Sequence, residues 1–203
     1  MFWGIKSRLL GISEWSKRIY IAMGSLLSNL NIACENATVV MLKRRLLTEI
    51  RIAVDIIQEL DDVTFRQSSN NSASVGEQFR HNLDFLNLFL DGVELGKVDY
   101  SNRERDVRVQ RSRRYAITRF GVAASRIAKL PRYILAEPIA VRSEIDRCMW
   151  FQSSVGREME FVLSHTIHHH ALIAEKLSRS GIELERAIGL APSTEEYLAR
   201  LAA

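Results

Sequence analysis

The sequence predicts an all-α protein: a four-helix bundle whose last long helix is reached through a long, partly extended crossover. Three observations carry this. Apolar residues recur at three- and four-residue spacing over long windows, the period of a helix with one buried stripe. Only three prolines and ten glycines occur in 203 residues, so little interrupts such helices. Serines followed three residues later by glutamate mark helix starts, because each side chain can bond the other's backbone N–H. The apolar fraction of 47% can fill a sizeable core, and the length suits one domain with an appendage.

Residues 1–40 read as an N-terminal extension, poorly ordered or preceding an alternative start at Met41, and 41–203 read as the bundle. Within the extension, IYIAMGSLLSNLNIAC at 19–34 follows Lys17 and Arg18 and faintly resembles an export leader ending in a cysteine. Ser25, Ser28, Asn29 and Asn31 interrupt its apolar run. No run reaches the roughly 18–20 apolar residues that span a bilayer. The expectation is therefore a cytoplasmic protein without a membrane partner. Cys34 and Cys148 lie far apart, match no CxxC pattern and read as reduced thiols.

The first bundle helix spans 41–60, with Leu46, Ile50, Val54, Ile57 and Leu60 as its stripe. Residues 61–73 form a polar loop. Ser74 and Glu77 open a second helix reaching about Asp91, and Gly92 and Gly96 punctuate the turn after it. A charged loop at 98–106 leads into a third helix over 107–129. Pro138 and the alternating PIAVRSEID predict an extended or hairpin excursion. Ser153 or Ser154 then caps a fourth helix running to about Ser180, and Ser193 with Glu196 marks a short closing helix.

Four of the five histidines fall between residues 165 and 170, within SHTIHHH. Successive helical residues turn by about 100°, so His165 and His169 lie about 40° apart on one face, with Val162, Leu172 and Ile173. That face points inward. His168 sits at its edge, and His170, a third of a turn round, is the poorest candidate to join the pair. His81 shares a stripe with Phe85, Leu88 and Phe89 on the second helix and also points inward.

Imidazoles in an apolar core need partners, since an unpaired buried polar group costs about 1–3 kcal/mol. A divalent metal satisfies them: HxxxH supplies two ligands, a histidine from a facing helix a third, and the fourth position stays open. Hydrogen bonds to core groups, or a solvated HHH face, are the alternatives.

On these residues the chain resembles the DinB/YfiT-like metal-binding four-helix bundles over roughly residues 41–200. The resemblance rests on EQFRHNLDF, with His81 early in the second helix, and on SHTIHHHALIAEKLSRSG in the fourth. It implies that His81, His165 and His169 bind a divalent metal, with His168 and His170 outside the ligand set. Zinc is the expected ion, with nickel or iron as alternatives. Many relatives carry glutamate directly after the first histidine of HxxxH, where this chain has Thr166. The resemblance further implies a transferase that joins an activated low-molecular-weight thiol to a small-molecule substrate. A non-catalytic metal-binding or stress-response protein and a metal-dependent hydrolase are the other readings, and a homodimer is admitted.

Glu158 shares the face of His165, and Glu77 and Asp84 flank His81. Each of these carboxylates, or His168, is a candidate to hydrogen-bond a ligand histidine and orient it, against the alternative of a solvated charge. No residue is assigned a catalytic role. The absence of paired ExxH motifs argues against a two-metal carboxylate site. RERDVRVQRSRR at 103–114 holds six arginines against two acids and reads as a clamp for an anion or as a solvated helix start. With no aromatic interleaving and a net charge of +4, nucleic-acid binding is not expected. No P-loop, GxGxxG or GxSxG motif occurs.

Overall fold

The computed structural model describes residues 14–68, 72–131, 133–184 and 187–202, with side chains from residue 37 onward. The chain divides into two compact units, Met1–Thr38 and Val39–Ala203. The first is helical from Glu14, the start of helix α1 (Glu14–Glu59). The expected poor order of the extension concerns, for residues 1–13, positions outside the described residues.

The second unit is mostly helical and carries a small sheet. After the rest of α1 come α2 (Asp62–Arg66), α3 (Val75–Leu95), β1 (Lys97–Val98), α4 (Val107–Arg111) and α5 (Arg113–Lys129). The 3-10 turn Ile134–Ala136, β2 (Pro138–Arg142), β3 (Trp150–Ser154), α6 (Val155–Arg179) and α7 (Pro192–Leu201) complete it. The expected stripe holds: Leu46, Ile50, Ile57 and Leu60 are buried and Val54 partly so. They join Phe65, Phe79, Phe89, Phe120, Met159 and Ile173 in one core.

Helix α3 is the hub, packing against α2, α4, α5, α6 and β1. Its start is the expected capping box: Ser74 Oγ accepts from Glu77 N (3.0 Å), and Ser74 N donates to Glu77 Oε2 (2.7 Å). The helix runs past Asp91 to Leu95, so Gly92 is a helical residue and not a turn. Its role is close approach, since a Cβ there would lie 2.8 Å from Val98 Cβ. The turn is made by Gly96 at φ 68°.

Three departures from the expected elements have local causes. The polar loop after α1 contains α2, whose start Asp61 caps by accepting from Val63 N and Thr64 N. The third helix is two helices, because Ser112 turns extended and uses its hydroxyl to cap α5 at Tyr115 N. Helix α7 begins with Pro192 behind Ala191, without a side-chain cap from Ser193. The crossover is indeed extended: β2 and β3 form an antiparallel hairpin, and β1 joins β2 in parallel with Val98 opposite Val141. The small sheet makes the unit more than a plain bundle of four helices.

Lys43 on α1 donates to the carbonyls of Ala128 and Leu130 at the end of α5, and Arg113 reaches the carbonyl of Leu60. No helix among the described residues is long and apolar enough to cross a membrane.

Candidate metal centre

Packing of α3 on α6 brings together the three histidines that the sequence singled out. One ring nitrogen from each of His81, His165 and His169 lies within 4.8 Å of the others. Ring centroids are 5.1 Å apart for His81 and His165, 4.7 Å for His81 and His169, and 4.4 Å for His165 and His169.

The donor set suits a metal. Nδ1–H of His169 donates to Oε1 of Gln78 at 2.6 Å. An amide oxygen only accepts, so the proton is held on Nδ1 and Nε2 keeps its lone pair. His165 Nδ1 is buried without a hydrogen-bond partner among the described residues, an atom that metal ligation would satisfy. Burial above all, then the charge of neighbouring imidazoles, lowers His165 to about 4 and His169 to about 3. Burial and then Arg103 lower His81 as well. The three rings are therefore neutral near pH 7, the form that ligates.

One side of the site is an aromatic wall. Phe85 stacks on His165 at 3.9 Å, Tyr100 stacks on Phe85 at 5.2 Å, and Phe161 lies 5.0 Å from Tyr100. Tyr100 comes from the loop between β1 and α4, and its hydroxyl donates to Oε2 of Glu158 at 3.0 Å. Burial, followed by the charge of Glu158, pushes the phenol's pKa up.

The groups proposed to orient a ligand take other partners. Glu158 is buried and receives hydrogen bonds from Tyr100 and Ser153, so it anchors the aromatic wall. Glu77 is committed to the α3 cap, and Asp84 pairs with Arg80 at 3.2 Å. His168 is exposed, its ring 5.5 Å from that of His169. Thr166 is buried with its hydroxyl 3.0 Å from Asn82 Oδ1 and 2.8 Å from Val162 O. Gln78, a neutral amide one turn before His81, does the orienting, and no spacing rule marks such a residue.

His170 stands apart from the trio, on a second inward face of α6. It is fully buried on a second face, where its Nδ1 donates to Oε2 of Glu49 on α1 at 2.8 Å. Glu49 also lies 2.9 Å from Arg45, whose guanidinium grips Glu195 of α7 in a bidentate pair at 2.6 and 2.7 Å. The result is a structural chain, His170–Glu49–Arg45–Glu195, outside the histidine trio.

Arg103, from the run of six arginines, stands beside the trio: its Nη1 is 3.5 Å from His81 Nδ1, and its guanidinium carbon is 5.9 Å from the centre of the Phe85 ring. Other arginines of the run are structural. Arg108 pairs with Asp106 and Arg113 with Asp62.

No protein-family model matches the chain, and no solved structure matches it. A curated protein from Rhizopus delemar, named FK506-binding protein 5, is 27% identical over 132 residues. The match covers 63% of this chain and 34% of that protein, so the chain spans about a third of its relative's length.

Proposed function

We propose that the chain is a DinB/YfiT-like metal-binding four-helix bundle, with α1, α3, α5 and α6 as its long helices. It holds one divalent ion on His81, His165 and His169 and joins a low-molecular-weight thiol to a small electrophile. Zinc is the expected ion, with nickel or iron able to take the same nitrogens. The observation that carries this reading is the convergence of three imidazole nitrogens within 4.8 Å, in rings kept neutral by burial. A divalent ion in an open three-histidine site supplies Lewis acidity that brings the pKa of a small thiol into the neutral range.

The chain's own residues divide the remaining work. Gln78 fixes the tautomer and tilt of His169. Phe85, Tyr100 and Phe161 exclude water from one side of the trio. Glu77 bonds the Ser74 backbone, Asp84 pairs with Arg80 and Glu158 accepts from Tyr100, so among the described residues none of these carboxylates bonds a histidine of the trio as a general base would. That favours thiol transfer, which needs only deprotonation of an acidified thiol, over hydrolysis with a positioned base.

The test is metal analysis of purified protein followed by activity. Wild type is expected to carry about one divalent ion per chain, His169→Ala to lose it, and His168→Ala to keep it. Loaded protein should then accelerate thiol addition to a generic electrophile with bacillithiol, mycothiol or glutathione. Wild type without metal sinks the proposal; metal without thiol dependence leaves a non-catalytic metal-binding protein.

A further inference from the structure

Resting on that metal reading, we propose that Arg103 anchors a carboxylate of the substrate, so that the centre prefers thiols bearing a carboxylate over neutral thiols of the same shape.

A guanidinium carries five N–H donors in a planar fork that matches a carboxylate. Arg103 uses almost none of them. Among the described residues its one polar contact is the 3.5 Å approach to His81 Nδ1, at the outer limit of a hydrogen bond, and its Nε is shielded from water with no partner there. Among the described residues no carboxylate lies within ion-pairing distance of it. Arg45, Arg80, Arg113, Arg126 and Arg142, also partly buried, each pair with an acid. Asp84 feels the charge of Arg103, but its carboxylate is taken up by Arg80 and the backbone N–H of Arg105, so the donors of the Arg103 fork stay without a carboxylate partner.

The position is also held. Tyr100 is buried and ties the start of the Arg103 loop to Glu158 on α6. Asp84 on α3 accepts from the backbone N–H of Arg105 on the other side. Arg105 adopts φ 56°, the left-handed region that residues with side chains avoid. Asp99 further braces the loop through Ser101 and Arg142. Two anchors and a disfavoured backbone conformation thus present an unpaired guanidinium beside His81.

Charge balance points the same way. A divalent ion on three neutral histidines places two positive charges next to Arg103, with Arg105 close by, and no carboxylate of the described residues contacts the trio. An anion shared between Arg103 and the open side of the centre balances that charge in a bidentate geometry. This absorbs the part of the arginine run that the helix caps and ion pairs leave unused.

The test uses full-length protein loaded with cobalt(II), whose thiolate charge-transfer absorbance reports thiol binding. Wild type is titrated with 3-mercaptopropionate and with the neutral isostere 3-mercaptopropionamide. The expected result is at least tenfold tighter binding of the carboxylate thiol. In Arg103→Met the two affinities should agree within about twofold, with cobalt uptake still one per chain. Arg103→Lys should recover part of the preference. Equal affinities in wild type, or a preference that survives in Arg103→Met, overturn this inference alone. Protein that takes up no cobalt overturns the metal reading and this inference with it.

Discussion

Gln78 and His169 sit on different helices, yet the amide oxygen of one accepts the Nδ1 proton of the other at 2.6 Å. The bond does more than tie α3 to α6. It selects the tautomer that leaves Nε2 free and aims the ring toward His81 and His165. Loss of such an orienting partner typically costs a metal site 10–100-fold in affinity. Gln78→Ala is therefore expected to weaken zinc binding by about 10-fold or more, with the helical circular-dichroism spectrum unchanged. Competition with a chromophoric chelator measures it, and wild-type affinity in the variant would remove Gln78 from the site.

The depressed pKa values of His165 and His169 carry a pH dependence whose sign can be stated. Folded protein, free of metal, holds these rings neutral down to about 4 and 3, whereas the unfolded chain protonates them near the usual 6.5. Between those limits the unfolded state binds more protons, so stability falls as pH drops through about 6.5 and levels off only below about 3, where His169 is the last to protonate in the folded state. Urea midpoints of metal-free protein from pH 7.5 to 4 should show this decline, and His169→Ala should flatten it. A midpoint that rises as pH falls over that interval would contradict the assigned burial.

Much of this is legible from spacing, and what escapes it does so for separate physical reasons. A helix stripe shows which residues face inward together, which is how His81, His165 and His169 were singled out before any packing was known. It assumes one buried face per helix. Helix α6 has two, one against α3 and one against α1, so the stripe that sets His170 apart from the pair does not by itself show that it is wholly buried. Gln78 and Arg103 escaped for another reason. An uncharged amide has no motif, and a loop arginine among six gives no sign of which one the backbone turns toward the site. The break at Ser112 was hidden because a serine between arginines is tolerated inside a helix, until its hydroxyl caps the next one.

The pair Glu49–His170 lies outside the histidine trio, and its removal should therefore separate stability from the proposed metal binding. Glu49→Ala leaves a buried imidazole with neither nitrogen bonded, since Nε2 of His170 already lacks a partner. It also releases Arg45, the link to Glu195 on α7. An unpaired buried donor costs about 1–3 kcal/mol. Denaturant unfolding should report a loss in that range or above, with metal content still one per chain. Loss of metal at full stability would place the pair inside the site instead.

Gly92 offers a test in which two effects oppose each other. Alanine favours a helix interior over glycine by about 1 kcal/mol, so propensity alone predicts that Gly92→Ala stabilises α3. Its Cβ, however, would sit 2.8 Å from Val98 Cβ and 3.1 Å from the carbonyl oxygen of Lys97, both in the strand packed on the helix. Overpacking of this kind costs about 1–3 kcal/mol, and backbone as well as side chain must move to relieve it. The packing effect is the larger, so Gly92→Ala is expected to be destabilising. Because Val98 leads directly into the loop that holds Tyr100 and Arg103, the same variant should blunt the preference for the carboxylate thiol while leaving metal uptake intact. A more stable Gly92→Ala protein with an unchanged thiol preference would show that β1 does not press on α3 and does not set the loop.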